Sequence, residues 1–487
     1  MHLSLVRLLR RQALTAVLIT MACAAVPAAE ARPRDRDGDG LKNRFERKRS
    51  HTNPRRADTD RDRLRDGAEV RRFKTNPRKA DTDGDGMKDG REVRKGRNPR
   101  RRPRRKRASG PPLWTCNVNV SSASALRSEV QRNPGKTVCV QGAVGDVSLA
   151  GVRPSSKVTV APAAEGGELG DLDLTSAANI EVLALRMKSA LIAGSSSTPA
   201  HDLSLRACQA GGSGPSDRAD VFALVDVRSH TDGLTVEGCD LGWTTSVGAD
   251  NDTGFGFRLS VGSGEGGEIR NVTLRGNRLH HLACDAVQMA GVAQLNFDRN
   301  EIAYVASDGA DLHADSIQIL SVAGDPGQIR FTNNYIHHTG FLEPGRISPG
   351  GAAGQWLWHD YDPTGALVEN NLIVDNRNYA PYWYGVTSNV TLRRNTIVRN
   401  GLAFGSNSPD MIWEGSGGSN RVAEQNIIGA MGGGQGVSFS GNVFIDQNGR
   451  GPTDIRRSVS FDANGNPKNL PKSHANAGFR KPGGVPW

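Results

Sequence analysis

The feature that most constrains the fold is a short apolar strand ending in Asn, which recurs through the second half of the chain. Segments such as NVTLRGN and QIRFTNN share this form. The terminal residues are Asn277, Asn300, Asn334, Asn371, Asn395, Asn426 and Asn442, separated by 16 to 37 residues. A second apolar strand follows most of them, and a third comes after a looser stretch. Three short strands in each irregular repeat predict a solenoid.

The recurring Asn indicates a tight bend between two strands. Asn tolerates left-handed backbone and bonds to nearby main chain, which a bend requires. Stacked coils would align these side chains into a ladder with neighbours about 4.8 Å apart. In earlier coils, LSLRAC and LTVEGC put Cys208 and Cys239 at the same position. They could form a disulfide or fill an internal ladder, and we favour the disulfide.

The start of the large domain fits the same architecture. SASALRSEVQRNPGKTVCVQG gives a short amphipathic helix, a Pro-Gly stop and an apolar strand, so the helix can cap the first coil. Residues 113 to about 470 resemble the right-handed parallel β-helix superfamily that includes pectate lyases and polygalacturonases. The resemblance implies an all-β fold, a right-handed parallel β-helix over residues 113–487, and a role with polysaccharides.

Three acidic segments begin 23 residues apart near the N-terminus: DRDGDGLKNRFE, DTDRDRLRDGAE and DTDGDGMKDGRE. Each has acidic residues at positions 1, 3 and 5, Asp or Asn at 9 and Glu at 12. This is the oxygen-ligand spacing of an EF-hand-type calcium loop. The predicted calcium ligands are Asp35, Asp37, Asp39, Asn43 and Glu46, then Asp58, Asp60, Asp62, Asp66 and Glu69, then Asp81, Asp83, Asp85, Asp89 and Glu92.

Together with the intervening TNP turns, these segments resemble bacterial thrombospondin type 3 repeats over residues 33–99. That family implies calcium binding and a stiff stalk beside a functional domain. In the second repeat, Arg61 and Arg63 replace the glycines of the third, so we expect a weaker site there. Without calcium, the low apolar content predicts disorder.

Residues 1–31 read as a secretory signal peptide, with an apolar stretch and the small-residue site Ala29-Glu30-Ala31. No later window approaches the roughly 18 apolar residues of a membrane-spanning helix. We therefore expect a secreted or surface-associated monomer. The repeats would occupy residues 32–99, and the basic, Pro-rich residues 100–112 read as a linker.

The net charge of +11 is unevenly distributed. Residues 32–112 carry 30 Lys and Arg against 14 Asp and Glu, whereas residues 113–487 carry 29 against 36, a net charge of −7. We therefore expect no nucleic-acid partner for the large domain. Five cysteines follow the signal, of which Cys116 and Cys139 bracket a short segment and Cys284 is the expected unpaired, buried thiol.

The most reactive-looking segment is DGADLHADSIQ. His313 beside Asp311 and Asp315, with Asp285 one coil earlier, forms the predicted catalytic set. Phrases of this kind occur in uncharacterised β-helix proteins that the segment resembles. His281, His337, His338 and His359 with Asp360 are secondary candidates.

One face of the helix is predicted to bind sugar. DAVQM, DSIQI, QWLW, APYWY and DMIW align as one strand per coil. The predicted substrate-binding residues are Gln288, Gln318, Trp356, Trp358, Trp383, Tyr384 and Trp413. Indole rings pack against pyranose CH faces while amides bond the hydroxyls. The alternative is that these rings fill loops or cover a coil end, and that the Asp and Gln residues are stacking residues.

We predict a calcium-binding β-helix protein that binds or cleaves an extracellular polysaccharide or cell-wall glycan. No Lys occurs between Lys188 and Lys468, so a lyase would need His313 or an Arg such as Arg346 as its base. A hydrolase would need a carboxylate pair, for which Asp285 and Asp315 are the obvious choice. The alternative is a non-catalytic surface or adhesion protein with a calcium-stiffened stalk.

Overall fold

The structure is a computed structural model in two compact units, residues 1–111 and 112–487. It describes residues 35–82, 88–94, 99–100, 114–245, 253–262, 266–306, 314–323, 328–343, 346–348, 356–358, 365–383, 388–402, 408–414, 418–446 and 449–483. The predicted signal peptide and residues 101–112 of the predicted linker lie outside these ranges. No helix within them is long and apolar enough to cross a membrane.

In the N-terminal unit, each acidic loop runs into a short helix. The helices are Asn43–Phe45 continued by a π-helical turn Glu46–Ser50, Asp66–Ala68 continued by Glu69–Phe73, and Asp89–Arg94. Leu41 and Leu64, the apolar residue at position 7 of the first two loops, are buried. The unit has few other buried apolar residues in its described part, so apolar packing alone contributes little to its stability.

The large unit is a stack of coils with up to three strands each. The first strands are Val118–Val120, Thr137–Ala143, Val158–Glu168, Ala178–Leu183, Ala200–Arg206, Thr231–Glu237, Ile269–Arg270, Val272–Arg275, Leu295–Asp298, Ile329–Thr332, Ala366–Glu369, Val390–Arg393, Arg421–Glu424 and Val437–Ser440. The second strands are Arg186–Met187, Gln209–Gly211, Asp240–Gly242, Arg278–Leu282, Glu301–Val305, Tyr335–His337, Leu372–Val374, Thr396–Val398, Ile427–Ile428, Val443–Phe444 and Ile455–Arg456.

The third strands form a separate 11-stranded sheet, here called the third-strand sheet. They are Val147–Ser148, Asp171–Asp173, Ser189–Ile192, Ala223–Arg228, Phe255–Ser260, Val287–Ala290, Ile317–Ile319, Trp356–Trp358, Tyr382–Trp383, Met411–Trp413 and Met431–Gly433. Short accessory pairs are Ala219–Asp220 with Thr244–Thr245, Phe341–Glu343 with Arg346–Ile347, and Ser460–Phe461 with Pro467–Lys468, followed by a 3₁₀ turn at Lys472–His474.

Neighbouring coils pair in parallel and in register. Leu274 lies beside Phe297, which lies beside Phe331, and all three are buried. Successive residues of a strand point to opposite faces, so each coil sends one apolar row into a shared core and presents the other outward. The predicted all-β fold, a parallel β-helix preceded by acidic loop repeats, is confirmed.

A helix, Ala123–Arg132, packs on the first coil as predicted. Ser122 is its N-cap, with a side-chain oxygen that accepts a hydrogen bond from the amide of Ala125 at 3.3 Å. Leu126 and Val130 are fully buried against the coil. Because the helix covers apolar surface that no further coil would cover, it protects the open end of the solenoid.

The Asn ladder is present and fully buried. Each main-chain amide from Asn277 to Asn426 donates to the Oδ1 of the next ladder Asn at 2.8–2.9 Å. Each Nδ2 also donates to a main-chain carbonyl of the preceding coil at 2.8–3.0 Å. Asp454 ends the column by accepting the amide of Asn442. The side chain therefore satisfies main-chain groups that the bend removes from the sheet.

The sequence predicts left-handed backbone at the ladder Asn itself. In the structure, the left-handed residue of the bend is instead the residue before it. Gly276, Arg299 and Asn333 have φ of 61°, 57° and 60°, and the same position is left-handed in every later ladder coil. The ladder Asn is selected by its bonds to neighbouring coils. Backbone tolerance matters one position earlier, where Gly, Asn, Arg and Gln all occur.

The structure contains one of the two cysteine pairs suggested by the sequence as a disulfide. Cys116 and Cys139 form the expected disulfide. Cys208 and Cys239 do occupy the ladder position, but as buried thiols, so the favoured disulfide between them is wrong. The amide of Cys208 donates to the Sγ of Cys239 at 3.4 Å, and the amide of Cys239 donates to Asn277. The sulfurs thus continue the ladder, which was the alternative. Cys284 is buried, as expected.

Replacing a ladder Asn should destabilise the β-helix strongly. In Asn371→Ala, the buried amide of Asn334 and the carbonyl of Phe331 each lose a partner. Such losses cost about 1–3 kcal/mol each, so we expect a total of about 3 kcal/mol and a lower urea midpoint by circular dichroism. The control is Asn296→Ala, a half-buried Asn with no side-chain hydrogen bond to the described residues. Equal effects of the two substitutions would contradict a specific role for the ladder.

Candidate functional site

The second acidic loop gathers oxygens around one point. Asp58, Asp60 and Asp62 each place a carboxylate oxygen within 4.8 Å of the others. Asp58 accepts the amides of Arg61 and Arg63 at 2.7 and 2.9 Å, which fixes the loop. Both oxygens of Asp60 are buried without a hydrogen-bond partner among the described residues. A cation at this point would satisfy them.

The first loop repeats this geometry. Asp35, Asp37 and Asp39 converge, and Asp39 also converges with Glu46 and with Asp66 of the next repeat. Both oxygens of Asp37 and the Oε2 of Glu46 are buried without a partner in the described part of the unit. The position-3 Asp and position-12 Glu thus present the unsatisfied oxygens in both loops, as calcium-loop spacing predicts.

Position 9 has a structural role in addition to its predicted role as a ligand, which stays a prediction. Its side chain closes the loop, because the Oδ1 of Asn43 accepts the amide of Arg36 at 2.9 Å, and Asp66 accepts the amide and hydroxyl of Thr59 at 2.8 and 2.6 Å. Asn43 and Asp66 therefore bond the amide of loop position 2, and Asp89 does the same for Thr82.

Successive repeats are connected through position 5. The carboxylates of Asp39 and Asp62 accept the amides of Gly67 and Gly90 in the following repeat at 3.0 and 2.6 Å. A Cβ at Gly67 would lie 2.0 Å from the carbonyl oxygen of Asp39. Sequence reasoning missed this role, although the repeated Asp-Gly pair at positions 9 and 10 was its signal.

The buried carboxylates of the first two loops need a bound cation or a proton to offset their negative charge. Burial, reinforced by neighbouring Asp side chains, raises the pKa of Glu69 to about 9, of Glu46 to about 7 and of Asp60 to about 6. Glu46 and Glu69 are completely buried. Buried carboxylates of this kind require a compensating positive charge, so the donor set of the first two loops fits a hard divalent ion.

The second loop keeps its shape without glycine. Arg61 and Arg63 have φ of 63° and 75°, and the equivalent residues of the first loop, Gly38 and Gly40, are left-handed as well, with φ of 70° and 97°. Left-handed backbone costs a non-glycine residue about 1–2 kcal/mol. The predicted weakness of this loop therefore has a physical cause. Of the third loop, Asp83, Asp85 and the Glu92 side chain lie outside the described residues.

In the large unit, one outward row of the third-strand sheet carries polar side chains across four coils. Asp226 lies beside Arg258, Arg258 beside Gln288, and Gln288 beside Gln318, in parallel register. The row continues through position 357 to Tyr382. We call Asp226, Arg258, Gln288 and Gln318 the outward row. Its pitch is the strand spacing of about 4.8 Å.

The members of the outward row contact one another. The Nε2 of Gln288 donates to the Oε1 of Gln318 at 2.7 Å. Asp226 is itself buried at 5% exposed, and it holds the two arginines of the row's end, pairing with Arg228 at 2.8 Å and with Arg258 at 3.5 Å. The Arg258 guanidinium lies 4.9 Å from the ring centre of Phe222, which is 40% exposed. Sequence reasoning found the glutamines but missed Asp226 and Arg258, whose only signal was their register with Gln288.

The predicted tryptophan platform is wrong for three of its members. Trp356, Trp383 and Trp413 are at most 1% exposed and fill the core. Trp356 lies beside the inward-facing Ile317, and Trp383 beside Trp413. The predicted alignment of these rings is present, but strand alternation sends them inward, so they cannot stack on a sugar. Tyr384 and the Trp358 side chain lie outside the described residues.

The two described members of the predicted catalytic set are buried. Asp285 is 2% exposed and its Oδ1 accepts the amide of Asp315 at 2.7 Å, while Asp315 is fully buried. Asp410, four coils after Asp285, similarly accepts the amide of Ala430 at 2.8 Å. An Asp before the third strand thus binds main chain of the next coil. Neither Asp285 nor Asp315 reaches the surface as a glycosidase carboxylate must.

His313, Asp311, His359 and Asp360 lie outside the described residues, so their roles stay predictions. The Arg346 side chain is likewise not described. His281 and His337 lie on the second strands and His338 directly follows one, away from the outward row in sequence and sheet. The structure therefore separates the sequence-predicted residues into buried supports, an outward polar row and a distinct group of histidines.

A family profile described as the bacterial TSP3 repeat matches residues 35–57 and 81–99. The N-terminal unit thus contains bacterial TSP3 repeats, as predicted, and the unmatched stretch between them is the divergent second repeat. No curated protein matches the chain by sequence.

Several solved structures are similar in part. A PL6 family polysaccharide lyase from Pseudopedobacter saltans is 13% identical, with a TM-score of 0.41 over 76% of this chain and 99% of its own. An alginate lyase from Paenibacillus sp. is 11% identical, with a TM-score of 0.38 over 70% and 96%. The surface protein and adhesin PfbA of Streptococcus pneumoniae is 9% identical, with a TM-score of 0.39 over 69% and 96%. Similarities of this size carry no information about activity.

Proposed function

We propose that this is an extracellular calcium-binding protein whose β-helix binds a polysaccharide along the outward row. The observation that carries the proposal is the in-register column of Asp226, Arg258, Gln288 and Gln318 on the third-strand sheet. A row of donors and acceptors at a constant pitch suits a ligand that is itself a linear repeat. Amides, guanidinium groups and carboxylates are the side chains that bond sugar hydroxyls.

Exposed apolar surface beside the row supports a sugar ligand. Phe222 and Leu320 are 40% and 41% exposed, and each directly adjoins a strand of the third-strand sheet, Ala223–Arg228 and Ile317–Ile319 respectively. Sugar rings combine polar edges with apolar CH faces, so a polar row flanked by apolar side chains fits them. The net charge of −7 over residues 113–487 favours a neutral polysaccharide over a uronate-rich one.

Polysaccharide binding has more support than a hydrolysis reaction in which the predicted carboxylate pair is catalytic. Asp285 and Asp315 are buried, and Asp285 is bonded to main chain. Cleavage would therefore depend on residues other than this pair. The burial of both carboxylates is the specific observation that favours the alternative of a non-catalytic surface protein.

Removing two members of the outward row should weaken glycan binding. A hydrogen bond contributes about 0.5–1.5 kcal/mol, so we expect the double variant Arg258→Ala, Gln318→Ala to bind about tenfold more weakly. Affinity electrophoresis and calorimetry against a panel of soluble neutral and acidic polysaccharides would measure this.

The matched control is the double variant Gln294→Ala, Gln328→Ala. These glutamines also bond across one coil, with the Nε2 of Gln294 2.9 Å from the Oε1 of Gln328, but outside the third-strand sheet. Unchanged affinity in the control and reduced affinity in the test variant supports the proposal. No binding to any glycan, or equal loss in both variants, contradicts it.

We also propose that calcium is the ion bound by the TSP3 repeats. The buried, unsatisfied oxygens of Asp37, Asp60 and Glu69 support a hard cation with many oxygen ligands. Bound calcium would replace the apolar core that the unit lacks, because it joins carboxylates that otherwise repel one another. Calcium should therefore order this segment.

Removing one predicted ligand should lower calcium affinity. In Glu69→Gln, the second loop loses a negative charge and one of its unsatisfied oxygens, so we expect its affinity to fall about tenfold. Calorimetry and far-UV circular dichroism of the full chain would measure this. Glu424→Gln, at a half-buried Glu of the β-helix, should leave the titration unchanged. An unchanged midpoint in Glu69→Gln would contradict the proposed site.

Relieving backbone strain should strengthen the second loop. Arg63→Gly removes a left-handed arginine, which costs about 1–2 kcal/mol, so calcium should bind about fivefold to thirtyfold more tightly. The control is Arg65→Gly, where φ is −80° and glycine offers no relief. That control should weaken binding slightly, because glycine loses more entropy on ordering. A gain in both variants would point to charge rather than strain.

A further inference from the structure

Two histidine pairs on the second strands share one hydrogen-bond pattern. In the first, the Nε2 of His280 lies 2.8 Å from the Oδ1 of Asp240, and its Nδ1 lies 2.8 Å from the Nδ1 of His281. Asp240 comes from the preceding coil, 40 residues earlier in the chain. The result is a carboxylate–imidazole–imidazole series that no local sequence motif encodes.

The second series lies two coils further along the same face. The Nε2 of His337 lies 3.3 Å from the Oε1 of Glu301, and its Nδ1 lies 2.8 Å from the Nδ1 of His338. The carboxylate again comes from the preceding coil. His281 and His338 also share a left-handed backbone, with φ of 53° and 54°. The same arrangement therefore occurs twice in one protein.

The hydrogen bonds fix the tautomers. An ionised carboxylate can only accept, so the Nε2 of neutral His280 must carry the proton and its Nδ1 must accept. The Nδ1 of His281 is then the donor, which leaves the Nε2 of His281 as an unprotonated acceptor. The same reasoning applies to Glu301, His337 and His338. In each series the outer histidine presents a lone pair at Nε2, and that atom has no bond to the described residues.

The two outer histidines stand in one half-buried column of rings. Trp243 stacks on His281 at 3.9 Å between ring centres, and Tyr304 lies 5.0 Å from His281 and 5.6 Å from His338. Neighbouring rings thus cover the faces of the two imidazoles, and the ring edges are left uncovered. Desolvation and the adjacent His280 lower the pKa of His281 to about 3, and desolvation and His337 lower that of His338. Both rings are neutral over the physiological range.

We propose that the second-strand face of these coils is a further carbohydrate-binding surface, in which the Nε2 of His281 and the Nε2 of His338 each accept a hydrogen bond from a hydroxyl group of the ligand. The carbohydrate identity rests on the proposed function, whereas the acceptor role of the two Nε2 atoms follows from the hydrogen bonds of their own series. The inner histidine and the carboxylate are positioning residues. They fix the tautomer and aim the lone pair outward, as a second group commonly does for a catalytic histidine.

Acylation of the imidazoles by diethyl pyrocarbonate tests this without any glycan, so its outcome is independent of the glycan-binding experiments. The reagent requires an unprotonated ring nitrogen and can be followed residue by residue by mass spectrometry at neutral pH. In the native protein we expect His281 and His338 to react, and the inner His280 and His337 to be protected. His230, which belongs to neither series, is the internal reference.

The two series serve as controls for each other. In Asp240→Asn, the amide can donate to His280, so the tautomers are no longer fixed, and we expect the rate constant at His281 to fall about tenfold while His338 is unchanged. A tenfold change in rate constant corresponds to about 1.4 kcal/mol of activation free energy. Glu301→Gln should do the reverse. Equal changes at both histidines, or no change at His281 in Asp240→Asn, would overturn the proposal.

Discussion

The β-helix depends on one buried column of amide hydrogen bonds. At each tight bend the main chain leaves the sheet, and the ladder from Asn277 to Asn442 supplies the missing partners from the coils on either side. The column is fully buried, so water cannot replace it. Because the ladder fixes the register of adjacent coils, it also fixes which side chains align on each outer face. Every candidate site of the large unit is a consequence of that register.

The N-terminal unit is stabilised by the opposite kind of interaction. Its described part has few buried apolar residues, and its buried groups include Glu46, Asp62 and Glu69. Burial, and secondarily the neighbouring carboxylates, raise the pKa of Glu46 and of Glu69, so the unit depends on a positive charge from outside the chain. The bonds from Asp39 to Gly67 and from Asp62 to Gly90 make neighbouring repeats interdependent. Ordering of one loop should therefore favour ordering of the next.

The outer faces of the solenoid carry different kinds of functional side chains. The third-strand sheet presents hydrogen-bonding groups in a line, whereas the second strands present imidazoles held by carboxylates of adjacent coils. The buried Asp285 and Asp410 belong to neither and hold the main chain of the next coil. An Asp before a strand is therefore poor evidence of catalysis in this fold, since the bend itself requires acceptors. Residues that face outward and bond to each other are better candidates.

The sequence by itself determined the repeat, the helix cap and the calcium-type loops, because each depends on residues close together in the chain. It also aligned Gln288 with Gln318 and Trp383 with Trp413. Only the tertiary structure decided which of these rows faces outward, because a shift of one residue in strand alternation reverses the faces. It also decided that Cys208 and Cys239 are thiols within the ladder. Contacts such as Asp240 with His280 join coils whose loops differ in length, so no fixed spacing in the sequence could reveal them.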